Sequence, residues 1–140
     1  MDFWRELLDV AARPDDTPDA PPPSPEGQIR VHLFCGTFDT EEDLLGYCFD
    51  PVRADGPEPF NLDLQGAYVD TAYVATGYGP AIPEALADFF DPANTQDILP
   101  GLKGDNALVI VSEYAFGGFP YSLTDTPRLR YLGNWLVDLP

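Results

Sequence analysis

The chain has 140 residues, and its 24 Asp and Glu against 7 Lys and Arg give a formal net charge of −17. Because phosphate contacts depend on Lys and Arg, this balance argues against nucleic acid and anionic membranes as direct ligands, and it favours encounter with a basic partner. Hydrophobic residues make up 44% of the chain. That fraction is enough to bury the core of one domain and excludes a wholly disordered polypeptide.

The first 28 residues are predicted to form a short helix and a linker. Apolar residues recur at helical spacing over residues 2–12, whereas residues 13–28 are rich in Pro and Asp and favour extended chain. The acidic start is unlike a signal peptide, and no apolar run reaches the roughly 20 residues of a membrane span. We therefore expect a cytoplasmic protein with a single folded domain over residues 29–140.

The domain is predicted to open with a strand and a helix. Residues 29–35 alternate apolar with more polar positions, which predicts a strand with one face in the core. Asp39 or Thr40 then caps a helix that runs to about Phe49. Acidic residues crowd the first turn of this helix, where the helix dipole favours them.

The middle of the chain alternates loops with short helices. Residues 51–61 are predicted as loop, and residues 60–78 stay ambiguous between short helices and a strand-like segment. Pro83 fits the first turn of another helix, which Asp91-Pro92 ends. Residues 92–104 are predicted as loop with at most one helical turn.

The C-terminal third is predicted to be a meander of strands. Residues 106–114 form an apolar run rich in β-branched residues, which predicts a central strand. Tyr121 and Leu123 are expected to start a short strand. Residues 128–137 alternate as a final strand with Gly133 as a candidate bulge. The order of elements predicts an α+β fold, with a small antiparallel or mixed sheet and a few short helices packed on it.

Groups suited to catalysis are scarce. His32 is the only histidine, and because an acid–base role needs a nucleophile and an orienting acid beside it, a structural or interface role is favoured. Cys35 and Cys48 lack metal-ligand spacing and fit small buried hydrophobes. The glycines of Gly77-x-Gly79 do not fit a phosphate-binding motif, because they do not follow a strand and open a helix. They are predicted to lie in a turn. We expect no enzyme, catalytic residue, metal or cofactor, although a cleft joining His32 to a cysteine or a carboxylate would favour a small hydrolase.

Acidic and aromatic residues occur together between Arg53 and Lys103, a stretch without a single Lys or Arg. Tyr is a favoured interface anchor, and nearby carboxylates would pair with Lys or Arg of a partner. Core packing with a solvated rim accounts for the same pattern equally well. More aromatic residues cluster around the turn that follows residues 106–114. The residues expected to contact a partner are Asp63, Tyr68, Asp70, Tyr73 and Glu113.

Three parts of the sequence follow the pattern of a known family. The first is VHLFCGTFDTEEDLLGYCFD, residues 31–50, and the second is FNLDLQGAYVDTAY, residues 60–73. The third is NALVIVSEYAF, residues 106–116, followed by LRYLGNWLVD, residues 129–138. In these segments the chain resembles the Immunity protein 22 family, small bacterial proteins encoded beside polymorphic toxins. The matching positions are His32, Gly36, Thr37, Phe38, Glu42, Tyr47, Phe60, Asp63, Tyr68 and Asp70.

The resemblance implies an α+β protein that neutralises a cognate toxin by direct binding, and it carries over no catalytic residue. Toxins of such systems are often nucleases, whose phosphate-binding groove is basic and would accept an acidic surface. The expected partner is therefore a basic protein toxin. Two alternatives stay open: an acidic mimic of nucleic acid that inhibits a DNA-binding protein, and, less favoured, a small hydrolase that uses His32.

Overall fold

A four-stranded antiparallel sheet organises the computed structural model, which describes residues 21–139. The helix predicted over residues 2–12 and the first half of the predicted linker lie outside the described residues. The strand order is β2-β3-β1-β4. The strands are β1 (Gln28–Gly36), β2 (Val74–Tyr78), β3 (Ala107–Ser112) and β4 (Arg130–Asp138).

Short helices fill the connections between the strands. The α-helices are α1 (Glu41–Phe49), α2 (Pro59–Asp63), α3 (Ile82–Ala87) and α4 (Pro92–Ile98). Short 3-10 helices span Thr71–Tyr73, Gly79–Ala81, Leu99–Leu102 and Glu113–Phe116. The predicted α+β class, with short helices packed on a small sheet, is confirmed. Among the described residues, no helix has the length and apolarity that crossing a membrane requires.

Both faces of the sheet are buried, which corrects the prediction that β1 has one face in the core. Val31 and Leu33 pack with Leu86 of α3 in one cluster, while Phe34 packs with Phe60 of α2 in the other. The more polar face of β1 is also covered, because the side chain of His32 is buried and hydrogen-bonded there. Helices on both sides thus make the central strands inaccessible to solvent.

β1 lies between β3 and β4, so the predicted meander is wrong. Both later strands pair with β1 and not with each other, because residues 113–129 carry the chain across the sheet. No strand forms at Tyr121 and Leu123, whose side chains pack against the core instead. The predicted bulge is confirmed: the β1–β4 register shifts beside Gly133, whose φ is 129°.

Two of the predicted helix starts are confirmed, whereas Asp91-Pro92, predicted only to end a helix, also begins one. The Thr40 side chain accepts a hydrogen bond from the Asp43 amide at the start of α1, and Pro83 lies in the first turn of α3. Residues 92–104 were predicted as loop but contain α4. Asp91 caps α4 by accepting a hydrogen bond from the Asn94 amide, so Asp91-Pro92 begins a helix as well as following one.

Candidate partner-binding surface

Two of the five predicted contact residues serve the fold itself. The Asp63 carboxylate accepts a hydrogen bond of 2.6 Å from the hydroxyl of Tyr47. The Glu113 carboxylate accepts one of 2.6 Å from the backbone amide of Arg30 and another from the Ser24 hydroxyl. Both carboxylates are half-buried. Their hydrogen bonds therefore connect distant parts of the chain.

The other three predicted residues, Tyr68, Asp70 and Tyr73, are exposed and lie close together. The Asp70 amide donates a hydrogen bond of 2.8 Å to the carbonyl of Ala115, and the Asp70 carboxylate accepts one of 3.0 Å from the Ala72 amide. These bonds hold the 68–73 segment against the 3-10 helix that follows β3. These three predicted residues belong to a larger exposed surface.

That 3-10 helix and the turn after it supply two further exposed aromatic residues. The rings of Tyr114 and Tyr73 meet edge to face, with 6.0 Å between their centroids. Gly117 and Gly118 follow with φ of 65° and 83°, a left-handed pair that turns the chain and leaves Phe119 in solvent. The sequence signal for these positions was the cluster of aromatic residues around the turn, which does not distinguish exposed from buried members.

Buried and exposed members of that cluster have clear structural roles. Phe116 and Tyr121 stack face to face, with 3.7 Å between centroids, and belong to the core. Tyr114 and Phe119 do not. We call the exposed set the aromatic surface; it consists of Asp70 and four rings that are 47–75% exposed, Tyr68, Tyr73, Tyr114 and Phe119. A depression of about 400 Å³ lies among Tyr68, Asp70, Tyr114 and Phe119.

The electrostatics of the aromatic surface are negative. No Lys or Arg lines its depression among residues 21–139. Elsewhere, Arg130 pairs with Asp105 at 3.1 Å, and Arg128 lies over the ring of Phe38 at 4.3 Å from its centroid. Arg30 is buried and donates to the Asn134 side chain. These three cations are engaged away from the aromatic surface.

His32 is buried between two tyrosines. The Tyr131 hydroxyl is 2.8 Å from its Nδ1, and the Tyr121 hydroxyl is 2.7 Å from its Nε2. Burial, and then the nearby positive charge of Arg30, lower the pKa of His32 to about 4. The imidazole is therefore neutral at pH 7, and one tyrosine donates to it while the other accepts.

The depression that His32 lines contains no cysteine and no carboxylate among residues 21–139. Cys35 lies on the opposite face of β1 from His32, and no carboxylate hydrogen-bonds to His32 among residues 21–139. Burial raises the pKa of the Cys48 thiol to about 12, and burial with a hydrogen bond to Asp105 does the same for Cys35. Both thiols are therefore protonated and poor nucleophiles at pH 7. Within the described part of the chain, no group of three or more His, Cys, Asp or Glu could hold a metal ion.

Comparisons with protein-family models, curated proteins and solved structures found no match to this chain. The family resemblance therefore depends on the sequence segments quoted above.

Proposed function

We propose that this protein is an immunity protein that binds and neutralises a cognate bacterial toxin in the cytoplasm. The observation that carries the proposal is the aromatic surface, where four exposed rings lie beside a carboxylate and no Lys or Arg of the described residues lines the depression. Large exposed rings that lie together are typical of interaction sites. Tyr and Phe can bury a large area on binding with few rotatable bonds, and they dominate the energetics of many interfaces.

The charge of the chain supports a basic toxin, such as a nuclease. A formal charge of −17 attracts a cationic partner from a distance and orients its approach. Attraction of this kind raises the association rate and weakens with salt, whereas the aromatic contacts govern how slowly the complex dissociates. An acidic surface with exposed rings therefore fits a partner that has to associate quickly and dissociate slowly.

The rings also separate this proposal from the nucleic-acid mimic. A mimic would present rows of carboxylates at phosphate-like spacing. On the aromatic surface the single carboxylate, Asp70, is also committed to capping a 3-10 helix. Protein recognition through buried rings fits this composition better than imitation of a phosphate backbone.

The test is binding to the protein encoded by the adjacent gene, measured by calorimetry at low and at high salt. We expect tight binding that weakens at least tenfold between 50 mM and 500 mM NaCl. Replacing three exposed rings together, in the variant Y68S/Y114S/F119S, should weaken binding at least a hundredfold, because interface rings often contribute about 2 kcal/mol each.

The matched control removes exposed apolar side chains from elsewhere on the molecule. Val52 and Leu62 are 61% and 54% exposed and lie outside the aromatic surface. The variant V52S/L62S should bind within threefold of the parent chain. Failure of the parent chain to bind the adjacent gene product at low salt would rule out the proposed function. Equal losses in the two variants would instead reject the aromatic surface as the binding site.

A further inference from the structure

We infer that a groove at one end of the sheet receives an apolar side chain from a basic protein segment, and that Asp88 and Asp138 pair with the Lys or Arg residues flanking it. This inference rests on the proposed function, because it names a second contact region for the same basic partner. We call this region the sheet-end groove. Its volume is about 420 Å³, which is large enough to accept a bulky side chain.

The sheet-end groove exists because the helices leave one end of the sheet uncovered. β1 and β2 begin there and β3 and β4 end there, as the antiparallel pairings of Val31 with Ser112 and of Val74 with Val111 require. Leu86 of α3 and Ile98 of α4 cover the same face further along. The chain leaving α3 at Asp88 and Phe89 forms one wall of the groove.

The walls of the groove are mostly apolar and partly exposed. Ala75 and Val137 form part of the floor, while Tyr73, Phe89 and Leu139 stand at the rim with substantial exposure. Covering such a surface removes apolar area from water, which favours an apolar occupant. In the free protein these apolar side chains are exposed to water, which costs free energy. An apolar side chain from a partner would displace that water and remove the cost.

Two carboxylates in the groove favour a positively charged occupant. Asp88 and Asp138 both line the groove and are exposed, and no Lys or Arg lines it among residues 21–139. Asp138 accepts one hydrogen bond, of 3.0 Å from the Gln28 side chain, which leaves further acceptor positions for a cation. The groove thus combines an apolar floor with an anionic rim, which is complementary to an apolar residue flanked by basic ones.

Continuity with the aromatic surface supports the same partner for both regions. Tyr114 lines the depression in the aromatic surface and also lines the sheet-end groove, and Tyr73 contacts it at the boundary. A second copy of this chain would bring a formal charge of −17 to an anionic rim and is disfavoured. One basic protein can therefore cover both regions at once.

The first test uses defined peptides on the full chain. The probe is the peptide Lys-Lys-Leu-Trp-Lys-Lys, compared with one in which Glu replaces each Lys and another in which Ser replaces Leu and Trp. Only the first should bind, and amide NMR shifts should concentrate at residues 73–75, 112–114 and 137–139. Binding of the Ser peptide with equal affinity, or shifts concentrated elsewhere, would overturn the inference.

Two double variants distinguish binding in the groove from nonspecific attraction to the negative charge of the chain. The variant D88K/D138K should weaken binding of the basic peptide more than tenfold. Its control, D55K/D97K, changes the net charge equally at two exposed acids outside the groove and should change affinity less than threefold. A72W, at an exposed position on the groove wall, should also weaken binding by obstruction. If the two double variants weakened peptide binding equally, nonspecific attraction would explain the binding and the inference would be overturned.

The same variants with the adjacent gene product distinguish this inference from the proposed function. If A72W and D88K/D138K bind that protein normally while Y68S/Y114S/F119S does not, the groove inference fails and the proposed function stands. If the parent chain binds the basic peptide at the groove but not the adjacent gene product, the proposed function fails and the groove chemistry stands. Self-association in sedimentation experiments that A72W abolishes would assign the groove to a second copy and overturn the inference.

Discussion

At the scale of single residues, His32 occupies a place where a charged imidazole would be costly. It is buried, and both ring nitrogens are engaged by tyrosine hydroxyls that satisfy the neutral form. The neighbouring positive charge of Arg30 adds to the penalty of burial in lowering the pKa of His32 to about 4. The only histidine of the chain therefore makes the native state sensitive to acid.

His32 predicts how stability changes between pH 6.5 and pH 4. An unfolded histidine has a pKa near 6.5, so in this window the unfolded chain binds a proton that the native state excludes. The His32 contribution to stability therefore falls as the pH falls through the window, and it levels off above the window. The contribution amounts to about 3 kcal/mol, because each unit of pKa difference is worth about 1.4 kcal/mol.

The comparison of the parent chain with H32Q isolates this effect, because protonation of the many carboxylates is common to both. In urea unfolding, the parent chain should lose about 3 kcal/mol more than H32Q on going from pH 6.5 to pH 4. NMR titration should place the native His32 pKa near 4. A native pKa of 6 or above, or parallel pH profiles for the two proteins, would contradict the prediction.

At the scale of elements, a glycine allows α3 to approach β2. Gly77 was predicted to lie in a turn but lies within β2, where an added Cβ would be 2.9 Å from the Cβ of Ala85 and 3.2 Å from the Cα of Ile82. The second contact is with backbone, which cannot rotate away. The contact explains why this strand carries glycine at a position where glycine is otherwise unfavourable.

We expect G77A to lower the free energy of unfolding by about 1–3 kcal/mol, since an extra methyl group forces the helix away from the sheet. The control is G101A, whose new Cβ would meet only the Leu132 side chain, at an ordinary 3.7 Å. Urea unfolding of both variants measures the difference. Equal stabilities of G77A and the parent chain would show that α3 does not depend on this close approach.

The element scale also shows which features the sequence could predict. Helix starts at Thr40 and Pro83 depend on neighbouring residues, and the patterns located them correctly. At Asp91-Pro92 the local signal is the same for ending one helix and beginning another, so α4 was missed. The order β2-β3-β1-β4 depends on how residues 113–129 cross the sheet, which no local pattern encodes.

The candidate site was predictable to a similar extent, because local patterns identify residue types but not long-range contacts. Exposed tyrosines beside an acid identified Tyr68 and Tyr73 as candidates for contact. The roles of Asp63 and Glu113 depend on partners 16 and 83 residues away in sequence, Tyr47 and Arg30. Such long-range hydrogen bonds arise only once the fold brings the elements together.

At the scale of the whole molecule, the charge acts on stability and on binding in opposite directions. Like charges 10 Å apart repel by about 0.4 kcal/mol in water, and a chain with a formal charge of −17 holds many such pairs. At about 0.1 M salt, repulsions between exposed charges more than roughly 10 Å apart are largely screened, and higher salt shortens this distance. The same screening weakens the attraction to a basic partner.

We therefore predict that raising NaCl from 10 mM to 500 mM increases the free energy of unfolding by about 1–2 kcal/mol, since several repulsive pairs are screened. Urea is the denaturant for this measurement, because guanidinium chloride is itself a salt. Over the same range the association rate with the adjacent gene product should fall at least tenfold. The variant D55K/D97K reduces the formal net charge from −17 to about −13 and should show a smaller gain in stability with salt. If salt destabilised the chain, the acidic excess would not have the stability cost predicted here. If salt left the association rate unchanged, the excess would not have the steering role that the proposed function gives it.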